Sequence, residues 1–338
     1  MMTLDENFEA LKCSGLRGLY NLGQTCFMNC VLQACFNNPI LKNFFLEESH
    51  VASDKCGNKE SDSSICITCE LDMLFEAYYS GDIAPISTHR FLYSIWLTSK
   101  ELVGYDQQDA HEFFICMVDG VHKNHCKELG HNENSENCSC VMHKSFAGTL
   151  CSTVTCFECG ATTNSFESFI DISLSLNVKN SNNGQSFNEL GLSRIHCLSD
   201  CLARFTAEER LGNTYACNKC SQNNCSRKLS FHKFPPVLCL HLKRFEHTAL
   251  STTKIDTFVS YPTEMNVSKY SSTSEIANDH KYELFAVIHH VGTVDNGHYT
   301  AYLKFMKQWF RMDDHMVTKV DIREVTRLTA YMLYYKVV

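Results

Sequence analysis

The 338-residue sequence has few prolines, no excess of basic side chains and no long apolar run. Only five prolines, and no long low-complexity tract, argue against small domains joined by linkers. A formal net charge of −8 argues against nucleic acid as the main partner, because phosphate contacts need a basic surface. No run of about 18 apolar residues predicts a membrane span, and Met1–Gly15 lacks the apolar segment of a signal peptide. The sequence therefore predicts a soluble intracellular protein.

Cysteine, in contrast, is abundant. The chain contains 20 cysteines, and its 44% hydrophobic residues are enough for a large core. In a reducing compartment, dense cysteine indicates metal binding or catalysis before disulfides. We therefore expect catalytic thiols or metal ligands among these residues.

A candidate nucleophile lies where a predicted helix begins. The helix is indicated by apolar residues at amphipathic spacing and ends before Asn38-Pro39; these apolar residues are Phe27, Cys30, Val31, Ala34 and Cys35. Thr25 is the expected N-cap, so Cys26 lies in the first turn, where the helix dipole favours a thiolate. The alternative, a small buried hydrophobe, suits the cysteines within the apolar stripe better than it suits Cys26. The polar loop before the helix carries Asn21, whose amide is suited to holding a developing oxyanion.

The C-terminal third predicts β-structure. The expected strands are Tyr282–Val291, His298–Phe305, Gln308–Met312 and Tyr331–Val338. A hairpin around Phe305-Met306 would pair His298 directly with Asp313 on one face and turn Asp314 to the other. An imidazole beside a carboxylate is the pair that Cys–His catalysis needs. One of the adjacent His289 and His290 is expected to face the core instead.

Three groups of cysteine and histidine have metal-ligand spacing. Two CxxC pairs predict a closed, structural Cys₄ zinc site: Cys156, Cys159, Cys217 and Cys220. A second set also ends in CxxC: His50, Cys56, Cys66 and Cys69. In the third, two thiolates at i and i+2 can share a face: His122, Cys138, Cys140 and His143. For this third set, spacing leaves open whether His125 or Cys126 replaces His122. The three sites would use nine of the 20 cysteines.

Four sequence boxes together resemble the ubiquitin-specific proteases. They are GLRGLYNLGQTCFMNCVLQAC (Gly15–Cys35), GYDQQDAHEFF (Gly104–Phe114), LCLHLKRFEH (Leu238–His247), and GHYTAYLKF with QWFRMDD (from Gly297). They occur in the family order and span nearly the whole chain. Four ordered boxes are a specific signal, whereas a single cysteine or GHY would be weak.

The resemblance implies a role for each matching residue. Cys26 matches the nucleophile, His298 the base, Asp313 the third member of the triad and Asn21 the oxyanion donor. Asp109 matches a contact to the basic tail of ubiquitin, and Gly297 and Tyr299 match the narrow channel for its Gly-Gly end. Without the family, the run Gln107–Glu112 would be interpreted as a solvated helix face. Gln24 departs from the pattern, since the family more often has Asn at this position.

Within the family, HLKRFEH, GTVDNGHYTAY and the additional metal sets resemble the histone deubiquitinases of the SAGA coactivator. This likeness implies ubiquitin, ubiquitinated histones and SAGA-type subunits as partners, and a nuclear location. It also supports zinc at the second and third sets. The chain shows no N-terminal zinc-finger ubiquitin-binding domain of the kind usual in that group.

The resemblance implies an α+β fold, that of a papain-like cysteine peptidase. A helical thumb is expected over residues 15–130 and a β-rich palm with zinc-tipped fingers over 141–338, the fingers at about 145–235, after an extension at 1–14. The expected reaction is hydrolysis of the isopeptide bond at the terminal glycine of ubiquitin, with zinc structural. The alternatives are a catalytically silent ubiquitin-binding module, which the intact Cys26, His298 and Asp313 argue against, and a zinc-ribbon nucleic-acid adaptor, which the net charge argues against.

Overall fold

A computed structural model describes residues 15–48, 56, 66–104, 106–129, 138–176, 197–247, 252–272, 280–293 and 296–338. The predicted extension at 1–14 lies outside these residues. The chain divides into two compact units. Unit 1 comprises residues 1–145 and 285–334, and unit 2 comprises residues 146–284 and 335–338.

The described α-helices are α1 (Cys26–Phe36), α2 (Pro39–Asn43), α3 (Ile67–Tyr78), α4 (His89–Thr98), α5 (Ala110–Leu129), α6 (Val141–Phe146), α7 (Leu198–Phe205) and α8 (Ile322–Val325). A π-helical turn follows α2 at Phe44–Glu48, and short 3₁₀ turns lie at Lys100–Leu102, Gly212–Thr214 and Ser268–Tyr270. Among the described helices, none is both long enough and apolar enough to cross a membrane.

The described strands are β1 (Gly148–Cys156), β2 (Thr162–Phe169), β3 (Asp171–Ser175), β4 (Glu209–Arg210), β5 (Cys225–Lys233), β6 (Val237–Lys243), β7 (Phe245–His247), β8 (Thr252–Lys254), β9 (Glu264–Asn266), β10 (Lys281–Gly292), β11 (Gly297–Phe305), β12 (Gln308–Asp313), β13 (Met316–Val320) and β14 (Ala330–Val337). The four strands predicted in the C-terminal third are confirmed as β10, β11, β12 and β14, with ends that differ by one residue.

Unit 2 is built mainly of β-structure. Its largest sheet has four antiparallel strands in the order β2-β1-β5-β4. Strands β3 and β6 form a parallel pair, and β7 and β8 form a small antiparallel ribbon. Every residue of β6 but the last is buried, as expected for a strand covered on both faces.

Helix α1 of unit 1 is buried along its whole length. The predicted helix is confirmed, but its expected solvated face is not, since Asn29 and Gln33 are 2% and 1% exposed. The Gln33 amide donates to the Arg17 carbonyl (2.7 Å) and accepts from the Tyr78 hydroxyl (2.8 Å). Because both polar groups of the Gln33 amide find partners inside the protein, this side of the helix can also be covered.

Strands β10 to β13 form an antiparallel meander in unit 1. The predicted hairpin register is wrong by two residues, because Ala301 pairs with Met312 and not with Phe310. The turn therefore falls on Met306 and Lys307, whose φ angles are 46° and 65°. The predicted turn would have forced the bulky Phe305 into this left-handed conformation. The flexible side chains of Met306 and Lys307 tolerate that conformation better than an aromatic ring does. A shift of two residues leaves each side chain on its expected face.

The end of helix α1 gives a test of core packing. Phe36 is fully buried, and its ring lies 4.3 Å from that of Tyr78 and 5.0 Å from that of Phe75. We expect Phe36→Ala to reduce the free energy of unfolding by about 3–5 kcal/mol because it leaves a cavity. Leu97→Ala, at a side chain that is 53% exposed, should change it by less than about 0.5 kcal/mol. Chemical denaturation of both variants is the measurement, and equal losses would contradict the packing described.

Candidate active site

The loop before helix α1 folds around the side chain of Asn21. The Asn21 Oδ1 accepts hydrogen bonds from the backbone N–H groups of Gly23 (3.0 Å) and Thr25 (3.1 Å). Gly23 and Gln24 have φ angles of 98° and 60°, so the chain turns sharply there. Cys26 follows as the first helical residue, as predicted.

Thr25 does not cap the helix in the predicted way. It precedes the first helical residue, but its side chain makes no capping hydrogen bond. Its Oγ1 accepts from the Leu22 N–H instead (2.9 Å) and so closes the loop. The first-turn N–H groups are thereby left without a side-chain cap, beside the Cys26 thiol, where they favour negative charge.

His298 lies between a thiol and a carboxylate. The Cys26 thiol lies on one side of its imidazole, and on the other side its Nε2 is 2.7 Å from the Asp313 Oδ1. Because Nε2 faces the carboxylate, Nδ1 is the nitrogen that remains for the sulfur. The bond to Cys26, with a further contribution from Asp313, raises the pKa of His298 to about 9. The raised pKa favours the protonated imidazole at neutral pH.

Asp313 reaches the imidazole diagonally. The predicted direct pairing with His298 is wrong, because the observed register ends the β11–β12 ladder at Ala301 and Met312. The shift by two residues keeps both side chains on one face, where diagonal neighbours can still touch. The second carboxylate oxygen of Asp313 receives Arg311 Nη2 at 2.5 Å. Sequence reasoning missed Arg311, although its position two residues before Asp313 on a strand was a usable signal.

Asp314 faces the site, contrary to the prediction that it points away. Its φ of 50° breaks the strand alternation, and the Leu19 N–H holds its carbonyl at 2.9 Å. One carboxylate oxygen accepts from the Asn21 amide (2.9 Å) and the other from the Asn29 amide (2.8 Å). Asp314 therefore links the start of helix α1 to the loop that carries the predicted oxyanion donor.

The other cysteines of helix α1 are unsuited to attack. Exposure does not separate the three thiols, since Cys26 and Cys30 are both 3% exposed and Cys35 is 1% exposed. Burial raises the pKa of Cys30 well above its usual value and that of Cys35 to about 12. Both remain protonated thiols in the core, as their place in the apolar stripe predicted.

Gly297 is enclosed by its neighbours in strands β10 and β11. His290 is buried, as expected for one of the two adjacent histidines, and a Cβ added to Gly297 would lie 2.0 Å from its Nε2. Tyr299 is 5% exposed, with its ring 4.5 Å from that of His290 and 5.6 Å from that of Tyr331. His289 instead hydrogen-bonds the Thr329 hydroxyl. No larger side chain fits at position 297 without displacing this wall.

The run Gln107–Glu112 is not a solvated helix face. Helix α5 begins only at Ala110, and Asp109 precedes it and accepts from the N–H groups of His111 (2.6 Å) and Glu112 (3.2 Å). The other oxygen of Asp109 accepts from the buried Tyr331 hydroxyl. Asp109 therefore anchors the start of α5, and its contact to the ubiquitin tail stays a prediction.

Four cysteines of unit 2 form a cluster that fits a metal ion. Their sulfurs, from Cys156, Cys159, Cys217 and Cys220, lie within 4.8 Å of one another. The Cys156–Cys220 and Cys159–Cys217 sulfur distances are 3.6 and 3.7 Å. A tetrahedral ion with bonds of about 2.3 Å would separate its sulfurs by about 3.8 Å. The Lys219 N–H donates to the Cys217 sulfur and lowers the pKa of that thiol, as a thiolate ligand requires.

Two further clusters lie in unit 1. His122, Cys138, Cys140 and His143 present ligand atoms within 4.8 Å of one another, which favours His122 over the alternatives considered. His125 contacts Ser139 instead, and the Cys126 sulfur lies 3.7 Å from the His122 ring. Cys56, Cys66 and Cys69 also converge. The fourth predicted ligand of that set, His50, lies outside the described residues.

Comparison with known families decides the assignment. Residues 17–335 match the family model of the ubiquitin carboxyl-terminal hydrolases. The chain belongs to the ubiquitin carboxyl-terminal hydrolase family. Ubiquitin carboxyl-terminal hydrolase 22 of Homo sapiens is 39% identical, over 95% of this chain and 66% of the human protein. Its counterpart 22-A in Xenopus laevis gives the same figures, and the nonstop hydrolase of Drosophila melanogaster is 37% identical, with 95% and 67% covered.

Solved structures of this hydrolase family give the same fold. One chain of the SAGA DUB module Ubp8/Sgf11/Sus1/Sgf73 bound to monoubiquitin is 31% identical with a TM-score of 0.80, covering 97% of this chain and 70% of that one. The module bound to ubiquitin aldehyde gives 32% and 0.81, with the same coverage. The family resemblance and the α+β, papain-like fold predicted from the sequence are confirmed. The chain spans about two thirds of the length of these relatives.

The effects of Asp313 and Asp314 on catalysis should differ in their pH dependence. The pKa of His298 is raised, so its imidazolium persists through neutral pH and is lost as pH rises through about 9. Asp313→Asn removes one cause of that rise and should move the alkaline limb of kcat/KM to lower pH by about one unit, with at least about a 100-fold loss. Asp314→Asn should reduce kcat without moving the limb, because Asp314 bonds Asn21 and Asn29. The measurement is the pH profile of ubiquitin–fluorophore amide cleavage; identical shifts in both variants would contradict this division.

Proposed function

We propose that this hydrolase cleaves the isopeptide bond after the terminal glycine of ubiquitin. The observation that carries the proposal is the His298 imidazole between the Cys26 sulfur and the Asp313 carboxylate. His298 takes the thiol proton, and the Cys26 thiolate attacks the glycine carbonyl carbon. His298 then protonates the departing lysine amine, which leaves an acyl-thioester. Water, deprotonated by His298, releases ubiquitin as a free carboxylate.

The oxyanion is held by Asn21 and by first-turn N–H groups of helix α1. The Asn21 amide carries two hydrogens, and Asp314 takes one of them. The second hydrogen is available to the oxyanion, and the Asn21 Oδ1 is fixed by two backbone N–H groups. An amide held at both ends in this way needs little reorganisation during reaction.

The ubiquitin tail is proposed to pass Gly297 and Tyr299 on its way to Cys26. Gly297 admits no Cβ beside His290, and Tyr299 supplies a buried aromatic wall. This geometry suits a tail without side chains near the cleaved bond. Asp109 is proposed to face the basic residues of the tail, in addition to its capping bond.

The proposed substrates are monoubiquitinated histones, and the proposed partners are SAGA-type coactivator subunits in the nucleus. Support comes from solved relatives assembled with Sgf11, Sus1 and Sgf73, of which one carries monoubiquitin. The net charge of −8 also suits basic histone substrates.

Three zinc ions are proposed to be structural. Each set supplies four protein ligands when His50 is included, so no position is open for a catalytic water. Zinc at the Cys₄ set would join the end of β1 to the turn before β5, and the set at His122 would join α5 to the start of α6. In both cases the ion would substitute for core packing.

The nucleophile is tested by matched cysteine variants. Cys26→Ala should abolish cleavage of a ubiquitin–fluorophore amide, by several orders of magnitude, while ubiquitin binding persists. Cys30→Ala should retain cleavage, because burial keeps that thiol protonated. Loss of cleavage in Cys30→Ala but not in Cys26→Ala would refute the assignment. A wild-type chain that binds ubiquitin but does not cleave would instead indicate the silent binding module.

The metal proposal is tested by elemental analysis of the native protein. We expect three zinc ions per chain. Cys217→Ser should remove one ion and weaken ubiquitin binding through loss of the fingers, with little change in Cys26 alkylation. Cys140→Ser should remove a different ion, because its ligands lie in unit 1. Native, folded protein without zinc would overturn the proposal.

A further inference from the structure

The side chain of Gln107 connects the two catalytic segments of unit 1. Its Nε2 donates to the Gln24 Oε1 (2.8 Å) and to the Gly297 carbonyl (2.8 Å), and its Oε1 accepts from the Gly297 N–H (2.7 Å). All three bonds have the length of good hydrogen bonds. Gln24 lies two residues before Cys26, and Gly297 directly precedes His298.

Gln107 acts on the part of β11 that strand β12 does not reach. The β11–β12 pairing covers Ala301–Phe305, and Gly297 lies four residues ahead of it. The Gln107 amide binds both backbone polar groups of Gly297, as a residue of a neighbouring strand would. On the other side, His290 leaves no space for a movement of Gly297 toward it. Gly297 is therefore fixed from two directions.

Gln24 connects the nucleophile loop to the same amide. It has a φ of 60°, a conformation that Asn adopts more readily than Gln. Asn, the residue more often found here in the family, is one methylene shorter, and at the same backbone position its amide would fall short of Gln107. The longer side chain is thus explained by the bond that it makes.

We propose that Gln107 is a positioning residue, which with Gln24 fixes Gly297 and so holds the His298 imidazole at the distance from Cys26 that catalysis needs. The inference rests on the proposed hydrolysis at Cys26. Neither glutamine touches a reacting atom in this role. Small displacements of a catalytic pair reduce the rate strongly, so loss of the bridge is expected to reduce kcat more than it changes KM.

The test compares Gln107→Leu, Gln24→Asn and the double variant with Gln108→Leu as the matched control. Among the described residues, the Gln108 side chain makes no hydrogen bond, so the control makes the same chemical change one position away. The first readout is the rate of Cys26 alkylation by iodoacetamide against pH, followed by peptide mass spectrometry. It needs no ubiquitin and reports the contact between Cys26 and His298. The second is kcat for a ubiquitin–fluorophore amide.

We expect both single variants to alkylate more slowly at neutral pH, with a profile shifted toward alkaline pH, and to lose about 10-fold in kcat. Because both act on one bridge, the double variant should be no worse than Gln107→Leu. Unchanged profiles and kcat would overturn the proposal, as would strictly multiplicative losses. Faster alkylation at every pH would also overturn it, since the bridge would then only cover the thiol. Thermal unfolding checks that the variants fold. If Gln107→Leu does not fold, Gln24→Asn, at an exposed residue, provides the test.

Failure of the proposed hydrolase function can be distinguished from failure of the positioning inference. Suppose that the pH profile of Cys26 alkylation in the wild-type chain lies at lower pH than that of a free cysteine, but the chain never cleaves ubiquitin substrates. The hydrolase proposal then fails, and the positioning inference is judged by the alkylation rates alone. If the wild type cleaves but the bridge variants match it in both readouts, the positioning inference fails and the hydrolase proposal stands.

Discussion

The candidate active site depends on the antiparallel pairing of β11 and β12. Strand β11 begins next to His298 and β12 ends at Asp313, so one hairpin supplies both the imidazole and its carboxylate. The ladder is short, and it stops before it reaches either residue. The candidate catalytic groups therefore lie at the open end of the hairpin, where side chains have room to face a third partner from helix α1.

A second network holds the other half of the site. Asp314 follows β12 in a left-handed conformation, and its two carboxylate oxygens accept from the amides of Asn21 and Asn29. Adjacent acidic residues thus serve different partners, since Asp313 bonds the His298 imidazole and Asp314 bonds the loop before Cys26. Asn29 is buried within helix α1, which makes the connection stiff. The site is in this way tied to the core on both sides of Cys26.

The abundance of cysteine reflects at least three different environments. At the start of helix α1, the Cys26 thiol lies beside a histidine and the positive end of the helix dipole. One turn later, Cys30 is an ordinary core residue. In the clusters, several thiols converge on one point. Burial raises the pKa in the core, whereas backbone N–H donors lower the pKa of Cys217 in its cluster. Local electrostatics, and not the residue type, thus distinguishes the proposed nucleophile, the candidate metal ligands and the thiols of the core.

The sequence by itself determined the elements and most of the chemistry. Periodicity placed Cys26 at the start of a helix. Alternation placed His298 and Asp313, on two neighbouring strands, on the same face of the sheet, and CxxC spacing grouped Cys156 with its three partners. These are local signals, or signals that survive a shift of register by two residues. Only the tertiary structure decided what depends on a single backbone angle or a long-range contact. The φ of Asp314 turned its carboxylate into the site, the burial of both faces of α1 removed its solvated side, and Gln107 met Gly297 across 190 positions of the chain. No pattern in the sequence encodes these, because each arises from which surfaces pack together after the elements have formed.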